Sequence, residues 1–124
     1  MEVQLSKSNN KSKKFRITFQ DNTRLDFGGK GYSDYTIHKS PARMRLYVRR
    51  HGGVMKDTLS ELRDDKKIHK EMLTVDTSVK ENWNADGFST AGFWSRWLLW
   101  SHPSLSQSID YVEKTFGIKV KYKK

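Results

Sequence analysis

The amino-acid sequence points to a small α+β fold, in which a small antiparallel β-sheet, made of an N-terminal hairpin plus a C-terminal strand, packs on three or four helices. Apolar and polar residues alternate near both ends of the chain, and helix-start signals with apolar residues at 3–4 spacing fill the middle. A length of 124 residues with 35% hydrophobic content is enough for one modest core and too little for two. Aromatic residues make up 12% of the chain, and since each buries roughly 150–250 Å² they can supply a core that the aliphatics alone would leave thin.

Residues 1–13, rich in Ser, Asn and Lys, read as an extended basic arm, and residues 14–124 as a single domain with a peripheral insertion at about 52–80. In "KFRITFQ" Phe15, Ile17 and Phe19 share one face of a strand, and "TRLDF" repeats the pattern. Leu25 and Phe27 oppose Phe19 and Ile17 only across an odd loop of three or five residues around Asp21 and Asn22. At the C-terminal end, "GIKVKYK" sets Ile118, Val120 and Tyr122 against Lys119, Lys121 and Lys123, and is expected to join the same antiparallel sheet.

Between these strands, Ser40 is a good N-cap and Pro41 suits the first helical position, so a helix is expected from there to about His51, ended by Gly52 and Gly53. Met44, Tyr47, Val48 and His51 form its apolar stripe, and Arg43, Arg45, Arg49 and Arg50 turn largely to solvent. "TLSE" (58–61) is a capping box that starts a charged helix carrying Leu59, Leu62, Ile68 and Met72. A second box, "SLSQ", starts a helix after Ser104 that stops before Gly117, with Leu105, Ile109, Val112 and Phe116 on one stripe.

"TAGFWSRWLLWSHPSL" crowds Trp94, Trp97 and Trp100 into seven residues. Thr90 to Ser101 reads as a helix apolar nearly all round, which belongs at the centre of a small fold, so the three tryptophans are expected as core anchors. The competing reading is a stacking platform for single-stranded nucleic acid, which needs exposed rings beside a basic groove.

The formal net charge is +10, and it is uneven: residues 1–50 carry 12 Lys and Arg against 4 Asp and Glu, residues 51–124 carry 12 against 10. Strand alternation that buries the aromatic face also gathers Lys14, Arg16, Arg24, Lys119 and Lys121 on the wet one. With Arg43, Arg45, Arg49 and Arg50 they form the candidate contact surface for an anionic partner. Lysines on an exposed sheet face also serve simply to discourage edge-to-edge aggregation.

Other chemistry finds little support. There is no cysteine, which excludes disulfides and thiolate metal sites, and the four histidines show no ligand spacing, so no metal or cofactor is expected. "GGKG" departs from the phosphate-loop pattern because Lys30 is followed by Gly31 and not by Ser or Thr. Tyr32, Asp34, Tyr35 and His38 form a polar cluster without a nucleophile motif and are expected to brace their loop, so no enzyme is expected. The N-terminal "MEVQLSKSNNKSKK" lacks the apolar region of a signal peptide, and the longest apolar run, four residues, is far short of the about 20 that a membrane helix needs.

Two blocks, "FGGKGYSDYTIHKSPARMRLYVRRH" and "ENWNADGFSTAGFWSRWLLWSHPSLSQSI", together resemble a family of short basic proteins without assigned function from nucleocytoplasmic large DNA viruses, among them chlorella viruses and mimivirus relatives. The resemblance covers roughly Phe27–His51 and Glu81–Ile109, and leaves Gly52–Lys80 as an insertion to which nothing transfers. It implies a setting, a virion location with the host cytoplasm before assembly; in that setting the basic sheet face and Arg helix suit a non-enzymatic minor capsid or cement protein that bridges capsid proteins of the same particle. The alternatives are a packaging or core protein that contacts DNA phosphates without base readout, and attachment to the anionic inner membrane. No small-molecule substrate is implied.

Overall fold

A computed structural model describes residues 1–124. Four strands, β1 (Glu2–Lys7), β2 (Lys13–Thr18), β3 (Arg24–Gly29) and β4 (Lys119–Lys123), form one sheet in the order β3-β2-β1-β4. Helices α1 (Tyr35–His38), α2 (Pro41–Arg50), α3 (Asp65–Leu73), α4 (Ala91–Trp94) and α5 (Leu105–Phe116) complete an α+β fold.

The N-terminal segment corrects the expectation of an arm, since β1 lies inside the sheet, antiparallel to β2 and parallel to β4. Val3 and Leu5 are buried, and Leu5 pairs with Ile17 and Tyr122. Two apolar residues at alternate positions were the only local sign of this strand, and polar neighbours diluted them. The sheet is therefore mixed and not purely antiparallel: β4 follows α5, and that helical crossover brings it back alongside β1 in the same direction.

The β2–β3 hairpin closes over the three residues Gln20–Asn22, with Asn22 left-handed at φ 70°. Phe15 pairs with Phe27 and Ile17 with Leu25, two residues away from the expected partners but with the same parity. Parity decides which face is buried, so Val3, Leu5, Ile17, Phe27 and Val120 all point to the helix layer.

Two of the three expected helix starts are present. The Ser40 hydroxyl accepts from Arg43 N at 3.2 Å and the Ser104 hydroxyl from Gln107 N at 3.2 Å. Helix α5 ends at Gly117, whose φ of 67° favours glycine. The expected "TLSE" cap is not formed: Thr58 to Glu61 lie inside a 3₁₀ turn (Asp57–Glu61) that has no side-chain cap, and α3 starts afresh under an Asp64 cap.

Residues 52–80 are also less peripheral than expected. Hydrogen bonds of 2.8 Å from Val54 N to Thr77 O and 3.0 Å from Val79 N to Gly52 O close the base of the excursion. Its Ile68, Met72 and Val75 enter the core as α3 packs on α2.

Trp94, Trp97 and Trp100 are buried as core anchors, and so is the fourth tryptophan, Trp83. The indole N–H of Trp94 donates to Phe88 O and that of Trp97 to Trp83 O, so burial leaves neither unsatisfied. Helix α4 continues as a π-helical turn over Ser95–Leu99, where the wider coil accommodates these side chains.

Candidate functional site

Nine cations were candidates for one surface, and the structure divides them. Arg16, Arg24, Lys119 and Lys121 lie on the outer face of the sheet, joined there by Lys123. Two carboxylates share that face. Asp26 accepts from Arg16 Nε at 2.8 Å, and Glu2 stands 3.8 Å from Lys119 and 3.7 Å from Lys121. Hydrogen bonds from Arg16 hold the Asp26 carboxyl below its ordinary range. The face keeps a positive balance, and Arg24 stands on it without a carboxylate partner.

Two of the nine are committed inside the fold. Lys14 Nζ lies 2.6 Å from Asp34 Oδ2 and the lysine is largely covered, while the same Asp34 carboxylate caps α1 by accepting from Thr36 N. Arg45 donates to Leu59 O at 3.1 Å and Leu62 O at 2.7 Å, tying the 3₁₀ turn to α2. Neither is a free cation for a partner.

The remaining three, Arg43, Arg49 and Arg50, are exposed on α2. Helical spacing puts residues 43, 46, 47 and 50 on one stripe, and that stripe forms a wall of a cleft of about 470 Å³. Its other walls are the open end of the β2–β3 hairpin, Glu81, and the π-turn with Trp100. Lys13 lines it too, and none of Lys13, Arg43 or Arg50 takes part in an ion pair.

The cleft's single carboxylate is already engaged. Glu81 Oε2 accepts from His51 Nδ1 at 2.7 Å and Oε1 from the Trp83 indole at 2.8 Å. His51 stacks on Tyr47 at 4.1 Å between ring centres, and Tyr47 stacks on Trp100 at 4.3 Å and 7°. Burial raises the Tyr47 phenol well above its ordinary value, so it remains a neutral hydroxyl.

Glycines keep the hairpin wall low. Gly28 has φ 79°, and a Cβ there would meet Leu99 Cδ1 at 2.8 Å. A Cβ on Gly29 would meet the Tyr32 ring at 2.8 Å, so that ring rests on bare backbone, 77% exposed at the rim. The "GGKG" stretch thus shapes a cationic cleft without forming a phosphate loop, and Lys30 is not among its lining residues.

In the loop before α2, bracing accounts for three of the four polar residues. Asp34 caps α1 and holds Lys14, Tyr35 Oη and His69 Nδ1 share a hydrogen bond of 2.9 Å, and His38 Nδ1 accepts from Ser40 N at 3.0 Å. Tyr32 has no such role. Sequence reasoning missed Lys13, Tyr32, His51 and Glu81 as cleft residues; the only local signal was the 43/47/50 spacing, which was read as a solvent face with a core stripe beneath it.

A family described as "Family of unknown function (DUF5754)" matches residues 3–51, which span β1 to the end of α2 and supply the hairpin and arginine-helix walls of the cleft. No curated protein and no solved structure matches the chain.

Proposed function

We propose that this chain is a non-enzymatic structural component of a large DNA virus particle, a minor capsid or cement protein that bridges acidic surfaces of neighbouring capsid proteins. The observation that carries the reading is the presence of two separate cationic surfaces on one small fold. One is the outer sheet face with Arg24, Lys119, Lys121 and Lys123, and the other is the exposed side of α2 with Arg43, Arg49 and Arg50. One cationic surface suffices for adhesion, whereas two on different elements suit a cross-link. The viral setting rests on the resemblance of the two sequence blocks.

Long-range charge complementarity favours encounter with acidic partners and weakens with salt. Fractionation of particles tests the assignment. After nuclease and detergent treatment the protein is expected to stay with the capsid shell, and the purified protein is expected to bind duplex DNA and anionic vesicles weakly at physiological salt. Release with the genome, together with tight duplex binding that falls steeply with salt, would replace this reading with a phosphate-contacting packaging protein. Release with detergent would point to the inner membrane.

A further inference from the structure

We propose that the cleft between α2 and the β2–β3 hairpin is a nucleotide site, taking a phosphate ester on its cations and the attached planar base against Tyr32. The ligand is defined by its chemistry and has two possible sources, a free mononucleotide or one unit of a nucleic-acid strand. The volume of about 470 Å³ falls in the ordinary range for small-ligand clefts.

Four observations converge on it. Lys13, Arg43 and Arg50 line the cleft without carboxylate partners, and Arg pairs with phosphate oxygens through two parallel N–H donors. The one carboxylate present, Glu81, has each of its oxygens occupied by a donor of the protein's own. Tyr47, which lines the cleft, has a hydroxyl that no group in the protein hydrogen-bonds and that is not sealed from solvent, so it is free to donate to a ligand. Tyr32 lays an exposed ring on Gly29 at the rim, with Leu46, also exposed, among the lining residues. Solubility explains a charged surface, but not an exposed ring laid on bare backbone beside arginines that no carboxylate pairs.

The site shares Arg43 and Arg50 with the bridging reading, so Tyr32→Ala separates the two: it removes the stacking surface and leaves every cation in place. The experiment titrates the ¹⁵N-labelled full chain at low salt with adenosine 5′-monophosphate, adenosine, inorganic phosphate and an oligodeoxyadenylate, following the amides of Gly28, Gly29 and Gly92, which line the cleft.

Adenosine 5′-monophosphate is expected to shift all three amides saturably and to bind about tenfold more tightly than phosphate, the gain that stacking of one base commonly gives. Tyr32→Ala should lower that affinity to the level of phosphate and leave phosphate binding unchanged. Arg50→Gln should weaken both by about tenfold. Both side chains are exposed, so neither variant threatens the fold. Tighter binding of the oligonucleotide per unit assigns the site to a strand, and tighter binding of the monophosphate to a free nucleotide. Either supports the proposal. A monophosphate that binds no better than phosphate, or that shifts the outer sheet face instead of the three glycines, overturns it.

Discussion

Arg96 carries its charge into a fully buried site that offers no carboxylate within ion-pairing distance. It donates to the carbonyls of Trp100 at 2.7 Å, Met72 at 2.6 Å and Val75 at 3.2 Å, and its guanidinium lies 4.4 Å from the Trp97 ring centre. Burial lowers its pKa to about 10, which leaves it charged at neutral pH. The side chain thus satisfies the end of α3 and ties it to the tryptophan segment. Arg96→Met keeps most of the volume but removes three hydrogen bonds and leaves the carbonyls of Trp100 and Val75 without a donor, since Met72 O still accepts from Val75 N, and is expected to cost about 3 kcal/mol in urea unfolding. A loss under about 1 kcal/mol would mean that those carbonyls find other donors. His102 makes the second residue-scale prediction. Burial, with His69 and Arg96 nearby, lowers its pKa from 6.5 to about 4. Between those values the unfolded chain binds the proton and the folded one does not, so stability is complete above about 6.5 and falls as pH is lowered towards 4. His102→Gln should flatten the drop in urea midpoint between pH 7 and pH 4.5, and an unchanged drop would assign it to other groups. Neither role was legible locally: Arg96 reads as an interruption of an apolar helix, and its partners at Met72 and Val75 lie more than 20 residues away.

At the level of elements, the caps were the most readable feature, because a cap depends on residues only three positions apart. Ser40→Ala should destabilise the chain by about 1 kcal/mol, checked by thermal unfolding. The arm was the least readable, because β1 exists through partners on either side of it and not through its own composition. Deleting residues 1–7 is therefore expected to abolish cooperative thermal unfolding, since it exposes the facing edges of β2 and β4. A truncated chain that melts as the full one does would restore the arm. The "TLSE" box shows the opposite error: the local start signal forms no side-chain cap, its residues lie within a single 3₁₀ turn, and the carbonyls of Leu59 and Leu62 accept from Arg45.

For the molecule as a whole, the two cationic surfaces predict a behaviour that neither has alone. Mixed with polyglutamate at low salt, the protein should form light-scattering complexes, and these should dissolve as salt shortens the screening length towards about 8 Å at 0.15 M. Replacing Arg24, Lys121 and Lys123 with Gln, or Arg43, Arg49 and Arg50 with Gln, should each leave binding and remove the scattering. Undiminished scattering by either triple variant would remove the basis for a bridge. Strand parity, helix period and capping chemistry are local, and from them the sequence already defined the hairpin, α2, α5, the buried tryptophans and the sorting of Lys119 and Lys121 away from the core. Tertiary structure alone decided which strand lies in the middle, which cations are spent inside, and that Lys13, Arg43 and Arg50 meet around Tyr47. Those outcomes depend on groups tens of residues apart, such as Lys14 with Asp34 and His51 with Glu81, and no periodicity along the chain records such a meeting.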